Sequence, residues 1–211
     1  MEPVEKIEYR GHVINIYQDD CTESPREWDN LGTIVYYKNS RYILGDVDLD
    51  RDELQELPTR KDIIILPVYA YIHSGIRLRT GSFQGLLPQG HAEFDLEQSG
   101  WIYVEKSKVK KEYGWKVITA KRQQKIEEYL EGEIKTLDQY FSGDVYGFVV
   151  EGPYSDDSVW GFYGDTDYAI SEAKDNIDCG IKHHNKKHCQ HLKEQIKHHV
   201  PIEYRKPVNA V

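Results

Sequence analysis

The sequence predicts an α+β fold: a single compact domain with a largely antiparallel sheet, a long helix, and a basic, histidine-rich C-terminal helical tail. Three observations carry this expectation. Short runs rich in β-branched residues and tyrosine, above all Ile63 to Ile72, are separated by Gly, Pro and Asn–Ser turn signals, with no regular alternation of strand and helix. The stretch from about Thr119 to Phe141 carries apolar residues at spacings near 3.6. Charge divides near residue 173: the last 38 residues hold 8 Lys/Arg against 4 Asp/Glu, a formal +4, which leaves −13 on the rest.

In chain order, Ile7 to Tyr17 reads as one or two short strands, with Gly11–His12 as the interruption. Ser24-Pro25-Arg26-Glu27 opens a short helix, since Ser24 can cap, Pro25 needs no amide partner and Glu27 completes a capping box. Thr33 to Tyr37 and Tyr42 to Leu44 read as strands, and Asp48 to Leu57 as a helix ended by Pro58. Ile63 to Ile72 is the strongest strand segment, and Pro67 within it argues for an edge, a bulge or a break. Gly75 to Gly100 reads mostly as loop, Trp101 to Val104 as a strand, and Lys108 to Tyr113 as a helical turn or two. In the long helix Ile126, Tyr129, Leu130, Ile134, Leu137, Tyr140 and Phe141 form the core-facing stripe, and Gly132 weakens it by about 1 kcal/mol relative to Ala. Val145 to Val150 and Val159 to Tyr163 make a hairpin, a helix follows from about Asp167 to Ile177, Gly180 terminates it, and His183 to His199 forms one more. The predicted division is an acidic globular domain over residues 1–179 and a basic His-rich tail over residues 180–211.

The 211 residues carry a net charge of −9, which disfavours direct binding of a nucleic-acid backbone by the acidic body and suits an approach to a basic surface. Three cysteines, Cys21, Cys179 and Cys189, cannot close a disulfide framework and point to a reducing interior. No apolar run follows Met1 and none approaches 18 residues, so the expectation is a cytoplasmic protein without a membrane segment.

Candidate chemistry is scattered. On a helix His184, His188 and His191 fall at i, i+4 and i+7 on one face, a spacing that can present imidazoles to zinc or nickel, although no metal is required by anything upstream. Asp46, Asp48 and Asp50 alternate as calcium ligands would, but Arg51 and Leu57 stand where an EF-hand needs Gly and Glu. Asp156, Asp157, Asp165 and Asp167 flank one strand and, with Asp46 and Asp48, make the candidate acidic binding surface. His73, His91, Glu93 and Asp95 combine imidazole with carboxylate in the Gly-rich middle and are the candidate catalytic groups. Tyr36, Tyr37, Tyr42, Tyr69, Tyr71, Trp101 and Tyr103 have the rings to stack on a base, and core packing is the first explanation for at least half of them. Phosphate-binding loops, dinucleotide fingerprints and nucleophile elbows are absent.

Asp20, Ser24-Pro25-Arg26-Glu27-Trp28-Asp29-Asn30-Leu31-Gly32, Leu44-Gly45-Asp46, Leu66-Pro67 and His73-Ser74-Gly75 resemble a widespread group of small acidic proteins of bacteriophages and mobile elements. The likeness continues through Gly100 to Val104, Tyr113-Gly114, Asp138-Gln139-Tyr140, Gly143 to Gly147 and Trp160 to Gly164. The resemblance implies a phage or prophage protein acting in the cytoplasm of a bacterial host, without an activity that transfers to particular residues. Together with the acidic body, it leads to a non-enzymatic accessory protein that binds and inhibits a host protein, such as an antiviral defence factor, through an acidic surface. The alternative is a binder or hydrolase of a nucleotide-like small ligand, using His73, His91, Glu93 or Asp95.

Overall fold

The computed structural model describes residues 2–38, 42–73, 75–83 and 98–204. The elements run β1 (Glu5–Tyr9), β2 (His12–Gln18), β3 (Thr33–Tyr37), β4 (Val47–Leu49), α1 (Arg51–Glu56), β5 (Ile63–Ile72), β6 (Ile76–Arg79), β7 (Gln98–Glu105), α2 (Lys106–Tyr113), α3 (Ala120–Ser142), β8 (Val145–Glu151), β9 (Asp157–Tyr163) and α4 (Thr166–His199). The α+β class and the antiparallel pairing follow the sequence expectation. The chain falls into two compact units: one takes both ends, Met1–Asp19 with Tyr146–Val211, and the other takes Asp20–Val145.

The unit built from the two ends carries a four-stranded sheet in the order β1-β2-β8-β9. Tyr9 faces His12 across the first hairpin, so the turn is Arg10–Gly11, one residue earlier than the sequence suggested. Both turn residues have positive φ, 49° and 77°, the backbone twist that joins two strands in two residues. Ile14, Ile16, Phe148 and Val150 alternate onto one face and bury against Ala169, Ile170, Ala173 and Ile177 of α4. Gly161, at φ 85°, breaks the alternation of β9. Phe162 stacks on Phe148 in this core, whereas Trp160 turns to Tyr17 and lies over Gly147.

Helix α4 spans 34 residues without a break, which corrects the expectation that Gly180 ends one helix and a separate tail begins. Gly180 serves packing: a Cβ there would come within 2.4 Å of the Tyr154 carbonyl oxygen, so the glycine lets the β8–β9 loop rest on the helix. Asn176, one turn earlier, holds that loop through Ser155 and through Asp157, at 2.8 Å. Beyond Ile181 the helix has no buried face, and residues 182–195 are all exposed. Lys197, His198 and His199 place their basic groups at its negative end.

The middle unit carries a five-stranded sheet in the order β4-β3-β7-β5-β6. The β3–β4 pair is parallel, and the remaining registers run antiparallel. Tyr42 to Leu44, expected as a strand, is not one; β3 has β7 on one side and Val47–Leu49 on the other. On one face Ile34, Ile64, Val68, Ile102 and Val104 pack against Ile126, Leu130, Ile134 and Leu137 of α3. Each such burial contributes on the order of 1.5–3 kcal/mol. On the other face α1 brings Leu54 against Val35, Ile63 and Trp101. Pro67 sits where β5 has β7 on one side, since β6 pairs only from Tyr69 onward, and its missing N–H breaks no ladder. Gly100 is required by close approach: a Cβ would lie 2.0 Å from the Val35 carbonyl oxygen.

Among the described residues no helix is long and apolar enough to cross a membrane.

Candidate functional site

The Ser24–Gly32 segment folds as sequence chemistry dictates, but more tightly than the helix expected from it. Pro25–Glu27 is a three-residue 3-10 turn, capped by Ser24 Oγ, which accepts from the Arg26 amide at 3.3 Å. Asn30 Nδ2 braces the loop, donating to the carbonyls of Pro25 and Trp28 at 2.8 and 3.0 Å. The centre of the segment is Arg26, whose side chain is 11% exposed. Its Nε and Nη2 make a bidentate pair with Asp46 at 2.9 and 2.6 Å, Nη1 donates to Glu133 Oε2 at 2.9 Å, and Nη2 also reaches the Gly32 carbonyl at 2.8 Å. Each carboxylate has further work. Glu133 Oε1 accepts the amides of Leu31 and Gly32, and Asp46 Oδ2 accepts the amide of Ile34. Burial alone would lower the guanidinium pKa, but the hydrogen bonds to Asp46 and Glu133 outweigh it and the net shift is upward. A charged group this enclosed is held because both partners are present.

This network pins the loop to α3 and leaves a groove of about 380 Å³ between them. Pro25 and Trp28 form one wall and Tyr129 and Thr136 the other, Gly132 opens the floor, and Glu128 stands at the rim. Trp28 and Tyr129 are 49% and 47% exposed, a large apolar surface for two residues on one groove. A second hollow of about 240 Å³ shares Asn30 and Tyr129 and adds Asp29, Glu112 and Tyr113. Lys108 also lines it, with its ammonium donating to the carbonyls of Asn30 and Leu31, both at 2.9 Å. Lys125 lies over the Tyr113 ring at 5.7 Å. Asp29, Glu112 and Glu128 are exposed carboxylates. Asp29 and Glu112 act on Tyr129, whose phenol is pushed above its ordinary pKa by burial first, then by Glu133 and by these two among its neighbours.

No family model, curated protein or solved structure matches this chain.

The residues singled out from sequence are dispersed. His73 is exposed at the end of β5, with its ring 6.2 Å from that of Tyr71. His91, Glu93 and Asp95 lie outside the described residues. Asp46 is committed to Arg26, and Asp48 is exposed on β4 in the same unit. Asp156, Asp157, Asp165 and Asp167 are exposed in the other unit, where Asp157 holds Asn176 and Asp165 occupies the N-cap position of α4 without a side-chain cap hydrogen bond. The His184 ring lies 4.5 Å from Tyr154 and 6.3 Å from His188, nearly parallel to the latter, while His191 is exposed farther along. Among the described residues no group of three His, Cys, Asp or Glu side chains is gathered to hold a metal ion.

Sequence reasoning missed Tyr129, which it placed in the core stripe. Leu130 is fully buried, and adjacent helical positions differ by about 100°, so Tyr129 turns outward beside the loop. The available signal was the Trp28–Asp29 pair: an aromatic and a carboxylate directly after a capped turn.

Proposed function

We propose that this chain is a non-catalytic binding protein that seats a lysine- or arginine-bearing segment of another protein in the Trp28–Tyr129 groove. The observation that carries the reading is the placing of two half-exposed aromatic rings beside Asp29, Glu112 and Glu128. Aromatic faces attract a cation through the ring quadrupole, worth about 0.5–2 kcal/mol, and carboxylates on the rim steer and orient it. The Arg26 network supports this role because it fixes the loop before a partner arrives, which reduces the ordering cost of binding. The resemblance of this same segment to phage and mobile-element proteins supplies the biological side of the proposal: the partner is a host component that the protein occludes, such as a defence factor with a basic surface.

The test compares wild type with Gly132→Met, which fills the groove floor from a position where a Cβ meets nothing within 4 Å. Affinity capture from bacterial lysate with each bait, followed by titration of the recovered partner, should show at least about tenfold weaker binding by the filled variant. Circular dichroism confirms that the variant is folded. Equal recovery and equal affinity with both baits would remove the groove from the binding site.

A further inference from the structure

A further concavity lies elsewhere on the middle unit, at the end of its sheet where β3 stops and β7 begins. It is a cleft of about 590 Å³, within the size range of small-molecule sites. Its character is opposite to that of the groove. Arg51 lines it, and no carboxylate does among the described residues. Arg51 and Gln55 stand one turn apart on α1 and face the same way. The acids beside Arg51 have other tasks: Asp50 and Glu53 close the capping box of α1, and Asp50 also lies 4.0 Å from Lys38. The exposed Arg51 guanidinium makes no ion pair or hydrogen bond among the described residues, unlike Arg26, Arg60 and Arg77.

The remaining lining is planar and fixed. Trp101 Nε1 donates to the Leu54 carbonyl at 3.0 Å, which locks the indole orientation. Tyr37 adds a second ring. Gln98 and Ser99 belong to a bulge opposite Val68 and Tyr69, where the register skips a residue and Ser99 Oγ accepts the Ala70 amide at 3.0 Å. Bulges re-aim side chains at sites of this kind. From its described lining the cleft thus offers aromatic surface, the side-chain amides of Gln55 and Gln98, and the available cation of Arg51.

We propose that this cleft binds a small ligand consisting of a planar aromatic ring and a single anionic group, with the ring against Trp101 and Tyr37 and the anion on Arg51. A phosphate and a carboxylate share the fork geometry that a guanidinium recognises, so the ligand is either a nucleoside monophosphate or an aromatic carboxylic acid. Binding is independent of the Trp28–Tyr129 groove.

Isothermal titration and amide NMR with the full chain test it against the four common nucleoside 5′-monophosphates, their parent nucleosides, 1-naphthoate and inorganic phosphate. At least one ring-bearing anion should bind and shift the Trp101 indole resonance. The matching neutral ring should bind at least about tenfold more weakly, and Arg51→Gln should lose a similar factor with an unchanged melting temperature. Preference for the monophosphates or for naphthoate identifies the source of the anion. Absence of binding by every ring-bearing anion at millimolar concentration, or binding that survives Arg51→Gln unchanged, overturns the proposal. Gly132→Met should leave this binding intact, which separates its failure from failure of the groove.

Discussion

Arg26 and Glu133 stand 107 positions apart in the chain and meet at 2.9 Å, with side chains 11% and 7% exposed. That pair turns the Ser24–Gly32 loop into a rigid wall beside α3. Glu133→Ala should destabilise the protein by about 3 kcal/mol, because it removes one of the two carboxylates on a buried guanidinium and leaves two loop amides without their acceptor. Glu133→Gln keeps an oxygen for Leu31 and Gly32 and should cost about half as much. Urea unfolding followed by far-UV circular dichroism measures both, and a loss under about 1 kcal/mol for the alanine variant would show that the network is dispensable.

Two glycines inside helices should respond oppositely to alanine. Gly132 has open space around its missing Cβ, so Gly132→Ala should stabilise by about 0.5–1 kcal/mol through helix propensity. At Gly180 the added methyl would collide with the Tyr154 carbonyl at 2.4 Å, and Gly180→Ala should destabilise by about 1–3 kcal/mol despite the same propensity gain. Thermal melts of the two variants, run in parallel, should move in opposite directions.

His12 is 1% exposed, and both its ring nitrogens have backbone partners: Nδ1 with the Arg10 carbonyl at 3.1 Å and Nε2 with the Tyr154 amide at 3.2 Å. The tautomer with hydrogen on Nδ1 satisfies both. His12→Ala should cost about 2–4 kcal/mol, from the void beneath Gly152 and the loss of two buried hydrogen bonds. Hydrogen exchange of the Tyr154 amide should rise in the variant more than that of strand amides far from the turn.

The acidic character of the groove has a titration signature. Tyr129 is held protonated to higher pH in the folded chain than in the unfolded one, first by burial and then by nearby negative charge. Any stabilisation from this is complete below the ordinary tyrosine pKa and is lost as pH rises through the folded value. Joint Asp29→Asn and Glu112→Gln substitution should lower the Tyr129 midpoint, read from its Cζ resonance. An unmoved midpoint would mean that these carboxylates do not act on the groove.

Truncation separates the two halves of α4. Ending the chain after residue 185 removes no described residue that is buried and should preserve a cooperative melt. Ending it after residue 176 removes Ile177, fully buried against the sheet, and should abolish that melt.

Local chemistry was enough to determine much of this protein. The 3.6-residue stripe of α3, the strand over Ile63–Ile72, the hairpin of β8 and β9 and the capped turn at Ser24 follow from periodicity, β-branching and capping, each of which acts over a few residues. Tertiary structure decided what depends on distant neighbours. Gly180 reads as a helix stop because glycine favours ends, yet the docking loop at Tyr154 makes it a contact point within a continuous helix. Asp46 reads as a surface acid until Arg26, 20 positions earlier, closes on it. Tyr129 reads as core until its phase beside Leu130 turns it outward toward Trp28. Hydrophobic period and caps are properties of a segment, whereas a groove, an ion-pair network and a loop contact exist only where segments from different parts of the chain meet.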